Sequence, residues 1–374
     1  MSQDLSMAGD VNSGAVPQII LNEILRQPLL WSTTLESVRS ASERLGLARK
    51  LQNARVLLTG AGTSAYAANA IAAAWPKAVA VPSTDLLVDS ERYLHEIDVM
   101  ISLARSGDSP ESAAVVERVR ALRPKILQLA IVCNENGALV RAGVDGVIAL
   151  DPRTNDHSLV MTSAFSNLAL AGIVLAQDDL AAAIVAEVSK RASVLLADID
   201  QVCRRAANRV KDRIMVLASS PLLGWAKEAE LKLLEMCGGK FPVVSESFLG
   251  LRHGPMSFMK ADTFVLCLLS NDAARRLYEI DLIGELRAKK IGYLTGITDF
   301  AEDRDLFDEV IPAIAPEADD AQRTPYEIVG PQLLGYHLSL RIGLNPDNPS
   351  PDGIINRVVR GVRIHSAPST KQSA

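Results

Sequence analysis

The chain is short of several things, and each shortage removes a class of protein. Only four of its 374 residues are cysteine. Cys133, Cys203, Cys237 and Cys267 are scattered, none forms a C-x-x-C pair and none has histidine at ligand spacing. That excludes a disulfide scaffold and a structural zinc site, and fits reduced core cysteines in a cytoplasmic protein. There is no excess of positive charge: 39 basic against 44 acidic residues leave a formal net charge of −5. A general nucleic-acid or anionic-membrane surface is therefore not expected. No apolar run approaches the roughly 18 residues of a membrane span. The polar, mixed start Met1–Pro17 is not a signal peptide.

What is present is a restarted rhythm. At 374 residues, 48% of them hydrophobic, the chain is long enough for two packed domains. Met1–Val16 and Ser366–Ala374 read as loose tails, and Pro17–Leu51 as helical. Strand and helix patterns then alternate. Strands are expected at Arg55–Leu58, Ala78–Val81, Val99–Leu103, Ile126–Val132 and Val144–Leu150. Helices are expected at Ala65–Ala74, Pro110–Leu122 and Ser163–Ala176. A long helix, Gln177–Arg209, bridges to a second unit. There strands are expected at Arg213–Ala218, Phe241–Val244, Phe264–Leu269, Ile291–Thr295 and Val310–Ile314. Leu223–Cys237, Ala274–Lys289 and Tyr326–Leu344 read as helices. Continuous apolar strands alternating with helices imply parallel sheets covered on both faces. The expected architecture is α/β: two tandem doubly wound parallel-sheet domains at 51–204 and 205–345. A tail and helix (1–50) precede them and a tail (346–374) follows. The second domain is a weak repeat of the first, without close sequence identity.

Two loops stand out. Leu58-Thr59-Gly60-Ala61-Gly62-Thr63-Ser64 ends an apolar run and opens a helical one. Arg105-Ser106-Gly107-Asp108-Ser109 does the same after Val99–Leu103. Backbone N–H groups at a helix start, with short hydroxyl side chains, form an anion cradle that needs no lysine. Two such loops at neighbouring strand ends suit a small phosphorylated ligand. Helix capping by Thr63, Ser64, Ser106 and Ser109 is the structural alternative. Gly60–Ala65 also fits the dinucleotide pattern G-x-G-x-x-A, with Asp85 at the spacing of a ribose-binding acid. The added hydroxyls and the second loop argue against it.

Glu228, Lys232 and Glu235 recur at i, i+4 and i+7, on one helical face. From spacing alone, a solvated Glu–Lys pair is the simpler reading. His253, in Leu251-Arg252-His253-Gly254-Pro255, precedes a Gly-Pro turn that could present it rigidly; by itself it reads as a surface histidine. His95, His157 and His337 lack comparable context, and His365 is a weak candidate for a site contact.

In this order, the motifs resemble the sugar isomerase (SIS) family, as two tandem domains covering roughly Leu51 to Ile364. Gly60–Ser64 resembles the family's first phosphate loop. Ala104–Ser109 resembles its Ser-x-Ser-Gly-x-Thr/Ser loop, with Ala104 in place of the first serine. Glu228–Glu235 and Leu251–Pro255 resemble the catalytic helix and His-Gly-Pro loop of the isomerase half of glucosamine-6-phosphate synthase. Leu57–Ala65, Ala104–Ser112, Leu159–Ser163 and Asn356–Val359 resemble the galactosamine-6-phosphate deaminase/isomerases, also described as tagatose-6-phosphate ketose/aldose isomerases.

The resemblance implies roles. Gly62, Thr63, Ser64, Ser106, Gly107 and Ser109 would hold the phosphate, with Arg105 beside it. Glu235 would move a proton between carbons 1 and 2 of the open-chain sugar. His253 would assist ring opening, reaching in from a neighbouring subunit of a homodimer or dimer of dimers. Lys232 and Glu228 would line the site, and the backbone around Leu159–Ser163 would approach the sugar. No metal or cofactor is implied. The chain begins without an N-terminal cysteine or amidotransferase-like segment, so free ammonia is the expected nitrogen species. The synthase carries a lysine in its C-terminal tail, whereas Asn356–His365 has arginines and no lysine until Lys371. The expected activity is deaminating isomerisation of galactosamine 6-phosphate. A glucosamine-6-phosphate deaminase, a plain aldose–ketose isomerase and a non-catalytic sugar-phosphate sensor are the alternatives.

Overall fold

The structure, a computed structural model, describes residues 18–359 and 361–365. The two expected tails and Lys371 lie outside the described residues. The expected N-terminal helix is broken into α1 (Ile19–Leu25), α2 (Gln27–Leu45) and α3 (Leu47–Leu51). Pro28 opens α2, where its missing N–H costs no ladder bond, and Gly46 between α2 and α3 is left-handed at φ 63°.

The first sheet consists of β1 (Val56–Thr59), β2 (Ala78–Ala80), β3 (Val99–Ala104), β4 (Leu127–Val132) and β5 (Gly146–Ala149). All pair in parallel, in the order β2-β1-β3-β4-β5. Their connections hold α4 (Thr63–Ala74), the short α5 (Ser83–Val88) and α6 (Ser90–Tyr93), α7 (Pro110–Leu122) and a single turn, α8 (Ala138–Arg141). Periodicity missed the three short helices, since one turn has no period to read.

Two long helices follow, α9 (Ser163–Ala176) and α10 (Asp178–Ala207). The second sheet comprises β6 (Ile214–Leu217), β7 (Val243–Glu246), β8 (Phe264–Leu268), β9 (Tyr293–Thr298) and β10 (Glu309–Pro312), with α11 (Leu223–Met236) after β6 and α12 (Ala273–Ala288) after β8. Its order, β7-β6-β8-β9-β10, reproduces that of the first sheet strand for strand. The expected terminal helix appears as α13 (Asp320–Glu327) and α14 (Val329–Arg341), beginning earlier than the sequence indicated and carrying Pro325 in α13.

Strands β1, β3, β6 and β8 are buried along their whole length, as parallel strands covered on both faces must be. One large core lies between the sheets: Leu58, Ile101 and Ile131 of the first and Val216, Phe264 and Leu266 of the second belong to it, with α9, α10, α11 and α14. A second cluster covers the far face of the first sheet with Leu86, Val116 and Leu139. A third covers the far face of the second sheet with Phe248, Leu251 and Leu282. The helix layer between the sheets brings α4 of the first domain against α11 of the second. A Cβ on Gly224 of α11 would stand 2.8 Å from the backbone nitrogen of Ala70 in α4, so only glycine permits this approach.

Candidate functional site

The two hydroxyl-rich loops leave the C-terminal ends of the adjacent strands β1 and β3 and run to opposite faces of the sheet. That is the topological switch point, where doubly wound sheets open a crevice. Gly62 adopts φ 54° and ψ −127°, a conformation that only glycine takes readily, and α4 starts directly after it.

None of the four hydroxyls caps its helix. Gly62 and Ser109 are the N-cap residues of α4 and α7, and neither helix has a side-chain cap. Thr63 Oγ1 instead accepts from Lys232, Ser109 Oγ donates to Glu111, and Ser106 Oγ accepts from the Asp108 N–H at 3.2 Å. Among the described residues, the N–H groups of Gly62, Ser106, Gly107 and Ser109 have no protein acceptor. Unused N–H groups at two converging helix starts attract an anion. Capping therefore does not explain these loops.

Helix α11 runs antiparallel to α4, so that with Gly224 against Ala70, Lys232 falls opposite Thr63. The Lys232 Nζ donates to Thr63 Oγ1 at 3.0 Å and to Glu235 Oε2 at 2.6 Å, and lies 3.4 Å from Glu228 Oε1. The side chains of Lys232 and Glu228 are both 0% exposed, and that of Glu235 is 23% exposed. The solvated pair indicated by spacing is thus corrected: the pair is sealed between two helices. Its partners are the reason, since α4 covers that face of α11.

Burial drives the titration of this group. Desolvation pushes Glu228 up to about 8, against the attraction of Lys232 and aided by repulsion from Glu235. Desolvation also opposes the charge on Lys232, but the two carboxylates and their hydrogen bonds outweigh it and raise its pKa. Lys232 is therefore a fixed cation held beside Glu235 and tied to Thr63 at the start of α4. Glu235 lines a cavity of about 650 Å³ with Leu231, Leu234, Leu344 and Ile355. A larger cavity, of about 1050 Å³, lies at the end of the second sheet and is not lined by Glu228, Lys232 or Glu235.

Arg105 and Ser163 are both engaged by the protein itself. Arg105 is 6% exposed. Its guanidinium donates to the carbonyls of Ser158 (3.2 Å), Leu159 (3.1 Å) and Arg357. It therefore clamps the Ser158–Leu159 backbone to the C-terminal segment. Ser163 is fully buried and donates to Asp156. Asp156 also accepts from Thr162 N at 2.7 Å and Ala164 N at 2.9 Å, which makes it the anchor of the α9 start. Arg357 completes the clamp through Asn155 Oδ1 at 2.8 Å and the Asp156 carbonyl at 2.9 Å.

Sequence reading missed Glu23 and Asp156. Glu23 accepts from the N–H groups of His157 and Ser158. Its position between Ile20, Ile24 and Gln27, on the buried face of α1, is the signal that could have found it.

His253 is not brought to Glu235. It ends a single 3-10 turn, Gly250–His253, on the far side of the second sheet, where Leu251 packs into the outer cluster while α11 covers the inner face. It is exposed, and its ring makes no hydrogen bond among the described residues. His365 is also exposed; its carbonyl accepts from Arg118 at 2.9 Å.

The chain is 33% identical over 365 residues to the D-galactosamine-6-phosphate deaminase AgaS of Escherichia coli, a match spanning 92% of this chain and 94% of that protein. It is 32% identical to the protein of the same name from Shewanella sp. (strain ANA-3), over 92% and 90% of the two chains. It belongs to the AgaS family. No family model matches the chain. The crystal structure of tagatose-6-phosphate ketose/aldose isomerase from Escherichia coli matches with a TM-score of 0.83 at 27% identity, covering 95% of this AgaS-family chain and all of that one. The C-terminal domain of glucosamine-fructose-6-phosphate aminotransferase from Francisella tularensis, at 17% identity and a TM-score of 0.71, shares the fold.

Among the described residues no helix is long and apolar enough to cross a membrane, and no cluster of three or more His, Cys, Asp or Glu could hold a metal ion.

Proposed function

We propose that this chain is an amino-sugar-phosphate deaminating isomerase acting on galactosamine 6-phosphate. The supporting observation is the bond from Lys232 to Thr63, which ties a buried acid–base group to the anion cradle. A ligand held by its phosphate at Gly62–Ser64 and Ser106–Ser109 places its far carbons within reach of α11. The relatives' names supply the sugar.

The chemistry follows from the groups present. With the sugar open, Glu235 takes the proton from carbon 2 and returns it to carbon 1. The electrons of the broken C–H bond form a carbon 1–carbon 2 double bond and place negative charge on O1, which takes up a proton. As carbon 1 is reprotonated, the amine gives up a proton and carbon 2 becomes an imine. Water adds to the imine carbon and ammonia leaves, giving a ketose 6-phosphate. Proton transfer by a positioned carboxylate is worth roughly 10²–10⁴ in rate. Lys232 pairs with Glu235 at 2.6 Å and supplies positive charge where the enolate-like intermediate develops. A neutral Glu228 behind it keeps the group from carrying two adjacent negative charges. Arg105 and Ser163 act as positioning residues: they fix the loop that faces the sugar.

His253 lies across the second sheet from Glu235 of the same chain. We therefore assign its ring-opening role to a second copy, in a soluble homodimer or larger assembly. Mixing inactive Glu235→Gln and His253→Ala chains would restore activity through hybrid sites; a mixture as inactive as its parts would refute the shared site.

A plain ketose–aldose isomerase is the second reading, favoured by the Escherichia coli structural match. The deciding experiment is ammonia release from galactosamine 6-phosphate and glucosamine 6-phosphate side by side. Release from the galactosamine ester with the larger kcat/KM supports the proposal. Isomerisation of a neutral sugar phosphate without ammonia from either amino sugar overturns it.

A further inference from the structure

The second sheet repeats the strand order of the first, so it has a switch point of its own between β6 and β8. The loop after β8, Leu269-Ser270-Asn271-Asp272, opens α12 as Arg105–Ser109 opens α7. Ser270 stands two residues past its strand, as Ser106 does, and Asn271 takes the place of Gly107. A cavity of about 1050 Å³ opens here, lined among others by Ser220, Asn271, Arg275 and Asp320.

In this loop the donors are already occupied. Asp320, at the start of α13, is 4% exposed. One carboxylate oxygen accepts from the Asn271 N–H at 2.9 Å and from Arg323 Nη1 at 3.2 Å. The other accepts from Ser270 Oγ and Arg275 Nη1. Two arginines, one serine hydroxyl and one loop N–H are the donor set of an oxyanion site. Arg323 is itself buried and also faces the Leu269 carbonyl at 2.7 Å and Glu327 at 3.6 Å. The Ser270 N–H goes to the buried Glu279 at 2.7 Å. In the first domain the corresponding N–H groups have no protein acceptor.

We propose that the Asp320 carboxylate occupies, in the second domain, the place that a ligand phosphoryl group takes in the first, and that it closes this cradle to phosphate esters. The chain then carries two phosphate cradles of common design, one open and one filled by its own side chain. Removal of the carboxylate vacates an oxyanion site that keeps both arginines and borders an open cavity. This inference rests on reading the first-domain loops as a phosphate cradle.

The test is equilibrium binding of radiolabelled inorganic phosphate to the full chain. Wild type is expected to bind one phosphate per chain, Asp320→Ala two, and Asp320→Asn one, since the amide still fills the space. Phosphate is also expected to raise the Tm of Asp320→Ala well beyond its effect on wild type, because it binds only the folded site. A folded Asp320→Ala chain that still binds one phosphate overturns the inference. So does an Asp320→Ala chain whose instability phosphate does not relieve. A wild-type chain that binds no phosphate would instead refute the first-domain cradle, which Asp320→Ala leaves untouched.

Discussion

Helices α11 and α12 carry the same pairing, a glutamate four residues before a lysine, with opposite outcomes. At the end of α12, Glu285 and the C-cap residue Lys289 approach to 2.6 Å, with side chains 28% and 48% exposed. In α11, Glu228 and Lys232 stand farther apart, at 3.4 Å, and are completely buried. The shorter contact is the weaker determinant. In solvent the attraction is screened, and ordering two long side chains costs entropy. Between α4 and α11 the Glu228 and Lys232 side chains are shut off from solvent, so burial raises the pKa of Glu228 while the neighbouring carboxylates hold the charge on Lys232. Identical spacing thus gives a solvated decoration on one helix and a sealed, coupled group on the other; the covering element decides.

The contrast can be broken most severely at Lys232. Lys232→Met strips Glu228 and Glu235 of their shared cation, one of them fully buried, and the expected cost is about 3–5 kcal/mol of stability together with loss of turnover. Denaturant unfolding and an ammonia assay measure both. Pairing it with Glu228→Gln is expected to recover part of the stability and none of the turnover.

Next in size is the cradle. Ser64→Ala combined with Ser106→Ala is expected to raise KM roughly 10- to 100-fold, the worth of one or two hydrogen bonds to a charged group, with a smaller change in kcat. An unchanged KM would remove those hydroxyls from the phosphate site.

A smaller effect should follow pH. The native state holds Glu228 near 8, above its ordinary value of 4.5, so it favours the protonated form. That contribution is fully present below about 4.5 and is lost as pH rises towards and through 8. Stability is therefore expected to fall over this window, and Glu228→Gln to flatten that part of the profile. A wild-type slope that Glu228→Gln leaves intact would assign the titration to another group.

Smallest of all is the control on α12. Lys289→Gln removes only a solvent-facing pair and is expected to leave Tm and kcat/KM without resolvable change. A clear loss would mean that exposed spacing carries function here.

Much of this was legible in the chain. Buried parallel strands announce themselves as apolar runs, which is why both sheets and the two loops could be placed by inspection. Lys232 carried a weaker signal: it sits among Trp225, Ala229, Leu233 and Met236 on the apolar face of α11, whereas Glu285 and Lys289 lie beside the Leu282–Ile283–Leu286 stripe. The rest depends on partners remote in sequence. The Arg105 clamp joins three carbonyls 53, 54 and 252 residues away. The Asp320 plug closes a loop 50 residues before it. No local period encodes either. His253 was legible as a presented residue, but not on which side of the sheet it stands.

The central claim, that Glu235 performs the proton transfer beside the cradle, is tested most directly by Glu235→Gln. Galactosamine 6-phosphate binding by calorimetry and ammonia release are measured on the same preparation. The predicted result is binding within about threefold of wild type, a few tenths of a kcal/mol, with release reduced by roughly 10²–10⁴. Undiminished ammonia release from a chain that binds normally would contradict it.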